Sequence, residues 1–244
     1  MNYNKLEELS YQEVKEIAEN MSLRIRRNKE DMLKDIISAF KDYERYKKSK
    51  SDKYTRVKQI GEKGKEGITY LVKTKSGAEY AMKTFRTQKS SSKLLQEVEL
   101  QKAAAELGVA PRVVDYDTVS KYIVMDKMDK HLLDVMKKQG GIILKTQQKQ
   151  IISIYKKLDE ANVFHGDANP LNYMFLGKQL YIIDFGMSKK ITNSLIKKVG
   201  TSTPNIHIMT LGLVLKLKEM NCSPDSYDYL KKFLSEDQRK QFCI

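Results

Sequence analysis

The spacing of apolar residues changes character at two places along the chain. Ser10-Tyr11-Gln12-Glu13 is a capping-box signature for a helix start. Val14, Ile17, Ala18 and Met21 then recur at helical spacing. Residues 22–27 break that period, alternating Leu23 and Ile25 with Arg24, Arg26 and Arg27. Asn28 is a suitable cap for a second helix, with Glu30 and Asp31 in its favourable first turn. Met32, Leu33, Ile36, Ile37 and Phe40 form its apolar stripe. Residues 41–53 are charged and lose the period. They read as a frayed helix end running into a linker at 46–53, which leaves residues 1–45 as a small helical module.

From Tyr54 the pattern becomes strand-like. Residues 54–60 and 69–74 flank a glycine-rich turn, and 79–85 follow the Ser76-Gly77 turn. Residues 94–107 read as a helix; 113–116 and 121–125 read again as strands. From His131 helical patterns dominate, broken by short strands around 173–175 and 180–183. No internal repeat is visible. The order is a helical module, a mostly β lobe with one helix (54–126) and a mostly α lobe (127–244), so the fold class is α+β.

Composition narrows the picture. At 244 residues the chain is long enough for one domain or two small ones, and for a core without staples. Its two cysteines, Cys222 and Cys243, are not in a CxxC pair, which removes a disulfide framework and fits a reducing compartment. The apolar run 208–215 is too short to span a bilayer and residues 1–10 lack a signal-peptide core, so the expectation is an intracellular protein, cytoplasmic or nuclear, with no membrane partner. The net charge of +14 asks for an anionic partner. Residues 1–53 hold 13 basic and 11 acidic side chains, so +12 of that charge falls on residues 54–244.

Candidate chemistry begins at Ile60-Gly61-Glu62-Lys63-Gly64-Lys65-Glu66-Gly67. Glycines between two strands let backbone N–H groups approach phosphates, although an ordinary hairpin turn has the same composition. Tyr80-Ala81-Met82-Lys83 follows, and the next helix carries Glu97 and Glu99. Either residue type is usually solvated surface. Farther on stand His165-Gly166-Asp167-Ala168-Asn169-Pro170-Leu171-Asn172 and then Tyr181-Ile182-Ile183-Asp184-Phe185-Gly186. Together these motifs resemble the protein-kinase-like superfamily, whose catalytic loop is H-x-D-x-x-x-x-N and whose metal motif is D-F-G. The resemblance covers residues 54–217. It implies a bilobal fold preceded by the helical module.

The resemblance also implies roles. Lys83 would hold nucleotide phosphates and Glu97, preferred over Glu99 for its Leu-Leu-Gln-Glu-Val-Glu-Leu context, would position it. Asp167 would accept or orient the proton of the attacking hydroxyl. Asn172 and Asp184 would supply oxygen ligands for Mg2+, with Mn2+ as an alternative. Gly61, Gly64 and Gly67 would cover the phosphates of ATP. Ala81 and Met125, as gatekeeper, would border the adenine, with the backbone of Asp126 and Met128 bonding its edge. His165 reads as a packing and hydrogen-bonding anchor and Phe185 as a hydrophobic spacer.

The departures are as informative. Gly166 stands where ordinary kinases have the arginine that receives an activation-loop phosphate. Asn169 replaces the lysine usual in Ser/Thr kinases. Residues 187–205 contain no A-P-E. Aligning Gly212 with the family's D-x-W-S-x-G helix puts His207 at the aspartate and Met209 at the tryptophan. With about 29 residues after that helix, the C-terminal lobe is expected to be truncated. This layout is similar to RIO kinases, to the small kinase of the tRNA-modifying KEOPS assembly and to minimal kinases of large DNA viruses, the last of which would place it in a host cell or virion. The expected reaction is phosphoryl transfer from ATP to a protein hydroxyl, Ser/Thr and including its own, on a substrate that the basic lobes suggest is acidic. Two alternatives remain: a small-molecule phosphotransferase of the aminoglycoside or choline kinase type, and a non-catalytic nucleic-acid-binding or scaffold protein that keeps a nucleotide pocket. Residues 6–40 resemble SAP-like helix-extension-helix modules. That resemblance implies DNA or RNA contact through Arg24, Arg26, Arg27 and Lys29, against the plainer reading of a helical hairpin with solvated charges.

Overall fold

The computed structural model describes residue 6 and residues 8–51, 53–61, 64 and 66–244. Residue 7 of the SAP-like stretch, residue 52 of the predicted linker, and Glu62, Lys63 and Lys65 of the glycine turn lie outside the described residues. The chain divides into two compact units, Met1–Thr55 with Thr74–Gly77, and Arg56–Lys73 with Ala78–Ile244.

In the first unit, α1 (Tyr11–Asn20) starts with the predicted capping box: Glu13 N–H donates to Ser10 Oγ and Ser10 N–H donates to Glu13 Oε2. In α2 (Lys29–Ser51), Glu30 N–H donates to Asn28 Oδ1, a side-chain cap for an otherwise orphan donor. Val14 and Ala18 of α1 pack against Met32, Leu33 and Ile36 of α2, with Leu6 closing the cluster. The predicted linker is a correction. The helix runs on to Ser51, through most of residues 46–53, because a Lys/Glu-rich sequence without glycine or proline keeps its helical propensity after its apolar stripe ends.

The second unit opens at Arg56 within β1 (Thr55–Gln59), continues with β2 (Gly67–Lys73) and β3 (Glu79–Phe85), and goes on to α3 (Ser91–Glu106), β4 (Val113–Asp117) and β5 (Tyr122–Asp126). The strands form one sheet in the order β1-β2-β3-β5-β4. The buried faces of Leu94 and Val98 on α3 meet Ile123 of β5, so the helix is fixed by its apolar side and turns Glu97 toward the sheet.

The helical part follows with β6 (Lys130–His131), α4 (Leu132–Lys138), α5 (Lys145–Glu160) and β7 (Val163–Phe164). Then come β8 (Tyr173–Leu176), β9 (Gln179–Ile182), β10 (Lys189–Lys190), α6 (Asn193–Val199), α7 (Thr210–Glu219) and α8 (Glu236–Gln241). Its core gathers Ile151, Ile154, Tyr155 and Leu158 of α5 with Leu213, Val214 and Leu217 of α7. β6, β8 and β9 make a small sheet, and β7 pairs with β10. The hairpin β8–β9 therefore carries Asn172 just before its first strand and Asp184 just after its second. Ile183 N–H donates to Asn172 O at 2.8 Å, which holds those two ends together.

Candidate active site

On β3, Ala81 and Lys83 project to one face, as the two-residue period of a strand requires. Ala81 pairs with Met125 and Lys83 with Ile123 across the β3–β5 register. This face forms the roof of a cleft of about 160 Å³, lined by Gly61, Ala81, Lys83, Met125, Asp126, Met128 and Asp184. All seven were sequence candidates. Ile60, Met174 and Ile183 also line it and were not among them. Ile60 and Ile183 each sit directly before a recognised motif residue, a signal that could have found them; Met174 has none.

Lys83 is the hub. Its Nζ donates to Glu97 Oε1 at 2.8 Å and to Asp184 Oδ1 at 2.7 Å. Glu97 is only 3% exposed, whereas Glu99 is exposed, so Glu97 is the carboxylate brought to Lys83. Burial by itself would lower the lysine pKa, but the charges and hydrogen bonds of Glu97 and Asp184 outweigh it and hold the ammonium above its ordinary value. For Asp184, burial opposes ionisation, yet the Lys83 charge, its hydrogen bond and the Gly186 N–H pull the carboxyl below its ordinary value. Asp184 adopts a left-handed backbone, φ 66°, uncommon for an aspartate and typical of a constrained site.

The catalytic-loop candidates sit in one turn. Asp167 Oδ1 accepts from Asn169 N–H at 3.2 Å, and Oδ2 accepts from Asn172 Nδ2 at 2.9 Å. Because the Asn172 amide nitrogen is turned to Asp167, its amide oxygen is the end left for a cation. With the ionised Asp184 carboxylate it offers the hard oxygen chemistry that a divalent cation takes alongside water and phosphate.

His165 is fully buried. Its ring nitrogens face the carbonyls of Ile183 at 3.0 Å and Asp167 at 3.2 Å, and a neutral ring donates to one of them. Desolvation keeps the ring neutral, lowering its pKa against the pull of those carbonyls and of Asp167 and Asp184. Phe185 packs edge-on at 5.1 Å. Gly166 has φ +79°, and a Cβ there would lie 3.0 Å from Met187 O. An arginine at the position would strain this loop as it stands.

The catalytic loop is held from Asn205. Asn205 Oδ1 accepts from His165 N–H at 3.0 Å, while Asn205 Nδ2 donates to Asp159 Oδ1 and Val163 O, both at 2.7 Å. Residues Asn205–Met209 form a π-helical turn ahead of α7, and Asn205 stands at its start. Of the three glycines, only Gly61 lines the cleft. Gly67 pairs with Phe85, and its missing side chain serves the strand, since a Cβ would fall 2.0 Å from Thr84 O. Gly64 N–H closes the turn on Gly67 O at 3.0 Å. In the first unit, Arg24 and Arg27 are exposed, but Arg26 is already neutralised by Asp35, Nε to Oδ2 2.9 Å.

The protein kinase domain family matches residues 54–205. The chain belongs to that family, whose members use ATP, a divalent metal and a protein substrate. It is 28% identical over 145 residues to the serine/threonine-protein kinase MPS1 of Encephalitozoon cuniculi and 24% identical over 172 residues to that of Saccharomyces cerevisiae. Those matches cover 56% and 62% of this chain but 24% and 22% of the relatives. It is also 26% identical over 119 residues to a probable serine/threonine-protein kinase BUD32 homolog of Archaeoglobus fulgidus, covering 48% of this chain and 57% of the relative. No helix among the described residues is long and apolar enough to cross a membrane.

Proposed function

We propose that the chain transfers the γ-phosphoryl group of ATP to serine or threonine hydroxyls of an acidic protein, and to its own. The observation that carries this reading is the single ammonium of Lys83 bonded to both Glu97 and Asp184, beside the Asp167–Asn172 pair. The names of the relatives support the Ser/Thr assignment. Residues 187–205, next to the catalytic loop, hold four lysines and no acidic residue, which supports an acidic acceptor.

The residues divide the work. Lys83 would hold the phosphates, and the edge of the base would meet the backbone of Asp126 and Met128. Asp126 N–H already donates to Arg112 O at 3.0 Å, so its carbonyl is the group offered to the base. Asn172 and Asp184 would hold Mg2+, which neutralises phosphate charge when bound. Asp167, fixed by two donors, retains lone pairs for the acceptor hydroxyl. The hydroxyl oxygen bonds to the γ-phosphorus, the bond to the β–γ bridging oxygen breaks, ADP leaves, and the proton passes to Asp167. The free cysteines Cys222 and Cys243 support a reducing compartment. The first unit would serve as a SAP-like nucleic-acid contact through Arg24, Arg27 and Lys29.

Incubation with labelled ATP and Mg2+, with acidic and basic peptides bearing Ser, Thr or Tyr, tests the reading. Label on the chain and on acidic Ser/Thr peptides, lost in Asp184→Ala, is expected. Absence of transfer to any protein acceptor, or transfer to an aminoglycoside or choline instead, would sink it.

A further inference from the structure

Glu97 is served by two lysines. Its Oε1 accepts from Lys83, while its Oε2 accepts from Lys89 Nζ at 2.7 Å. Lys89 belongs to the loop between β3 and α3, where its N–H donates to Arg86 O at 3.1 Å. A loop lysine is normally solvated, yet this side chain is only 7% exposed. Its ammonium also donates to Glu66 Oε2 at 2.8 Å and lies 4.8 Å from the centre of the Phe85 ring, the same ring that Lys83 approaches at 5.0 Å. Burying an ammonium without partners is costly, and here two carboxylates and a ring face partner it.

The chemistry of Glu97 gives this arrangement a purpose. A carboxylate at the end of three rotatable bonds, bound by one cation, keeps freedom to rotate and to take Lys83 with it. Bound at both oxygens, its plane is fixed, and the oxygen facing Lys83 is fixed with it. We propose that Lys89 is a positioning residue for phosphoryl transfer, acting through Glu97 to aim Lys83. This rests on the kinase reading above. Glu66 is the second anchor of Lys89 and belongs to the glycine turn, so the two routes by which Lys89 acts, through Glu97 or through the turn, are separable.

The experiment has one arm with turnover and one without. Lys89→Met is expected to lower kcat about tenfold, the scale of losing a residue that orients a reacting group. Lys89→Arg should recover most of it, and Glu66→Gln should give a smaller loss in kcat than Lys89→Met. A loss in Glu66→Gln equal to that of Lys89→Met would overturn the route through Glu97, as would wild-type kcat in Lys89→Met. The second arm is a thermal-melting cycle of Lys83→Met, Lys89→Met and the double variant, without nucleotide. Each single change leaves Glu97 one cation, but the double change leaves a buried, unpaired carboxylate. The drop in Tm of the double variant should exceed the summed drops of the singles; additivity would overturn the shared-carboxylate arrangement. If the wild type transfers no phosphate while the melting cycle is non-additive, the kinase reading fails and the Lys89–Glu97–Lys83 coupling stands.

Discussion

The two units of this chain use charge in opposite ways. The helical pair has an apolar core of Leu6, Val14, Ala18, Met32, Leu33 and Ile36, and keeps its ion pairs, such as Arg26–Asp35, at the surface. The kinase unit places Lys83 and Lys89 largely out of water, both on the buried carboxylate of Glu97. A buried charge is held only where several groups agree on its position, so the geometry of the second unit is informative about chemistry. A surface charge carries little positional information, so the same residue types in the first unit support a nucleic-acid role only as a proposal.

The sharpest way to break this comparison is at the cleft. Asp184→Ala or Lys83→Met should reduce phosphoryl transfer by on the order of a thousandfold or more, with circular dichroism unchanged. Loss of folding in both variants would mean that the cluster is structural rather than chemical. Next in size is the apolar core of the first unit: Ile36→Ala should cost about 3 kcal/mol by denaturant titration of that unit's transition. A cost below about 1 kcal/mol would show that the two helices are not a packed unit.

A smaller effect concerns pH. The folded pKa of His165 lies below its unfolded value, so the folded state binds fewer protons. Its contribution is complete above about pH 6.5 and is lost as pH falls below it, at up to about 1.4 kcal/mol per pH unit. Tm should therefore decline between pH 7 and 5, and His165→Gln, though less stable at pH 7, should show a flatter profile. An equal slope in both would assign the acid sensitivity elsewhere. The smallest expected change is at the surface pair, where Arg26→Ala should alter stability by less than about 1 kcal/mol in the same titration.

Much of the cleft was readable from linear spacing. The five-residue interval from Asp167 to Asn172, and an apolar strand running into Asp184, are local patterns that the hairpin β8–β9 preserves in space. The strands and α3 were readable because their apolar periods differ. What escaped detection depends on geometry that spacing does not encode. Asn205 supports the catalytic loop from the start of a π-helical turn that no linear spacing announces. The length of α2 was missed because a polar helix has no apolar period to follow. Lys89 and Glu66 belong to the commonest surface residue types, and only their burial and contacts distinguish them. Gly67 was legible as a glycine but not as one demanded by the adjacent strand.

Gly166 carries a lesson about what this architecture can become. With φ +79° and Met187 O at 3.0 Å from where a Cβ would stand, the position disfavours a side chain, and the arginine that would receive a phosphate would strain the loop and press on the segment after Asp184. Ser188 Oγ meanwhile donates to His165 O, and Gln96 Nε2 donates to Ser188 O, so the segment after Asp184 is already fastened to the catalytic loop and to α3. A phosphate-receiving arginine at this position would therefore have to be accommodated by two segments at once, because the glycine couples the shape of the catalytic loop to that of the segment after Asp184.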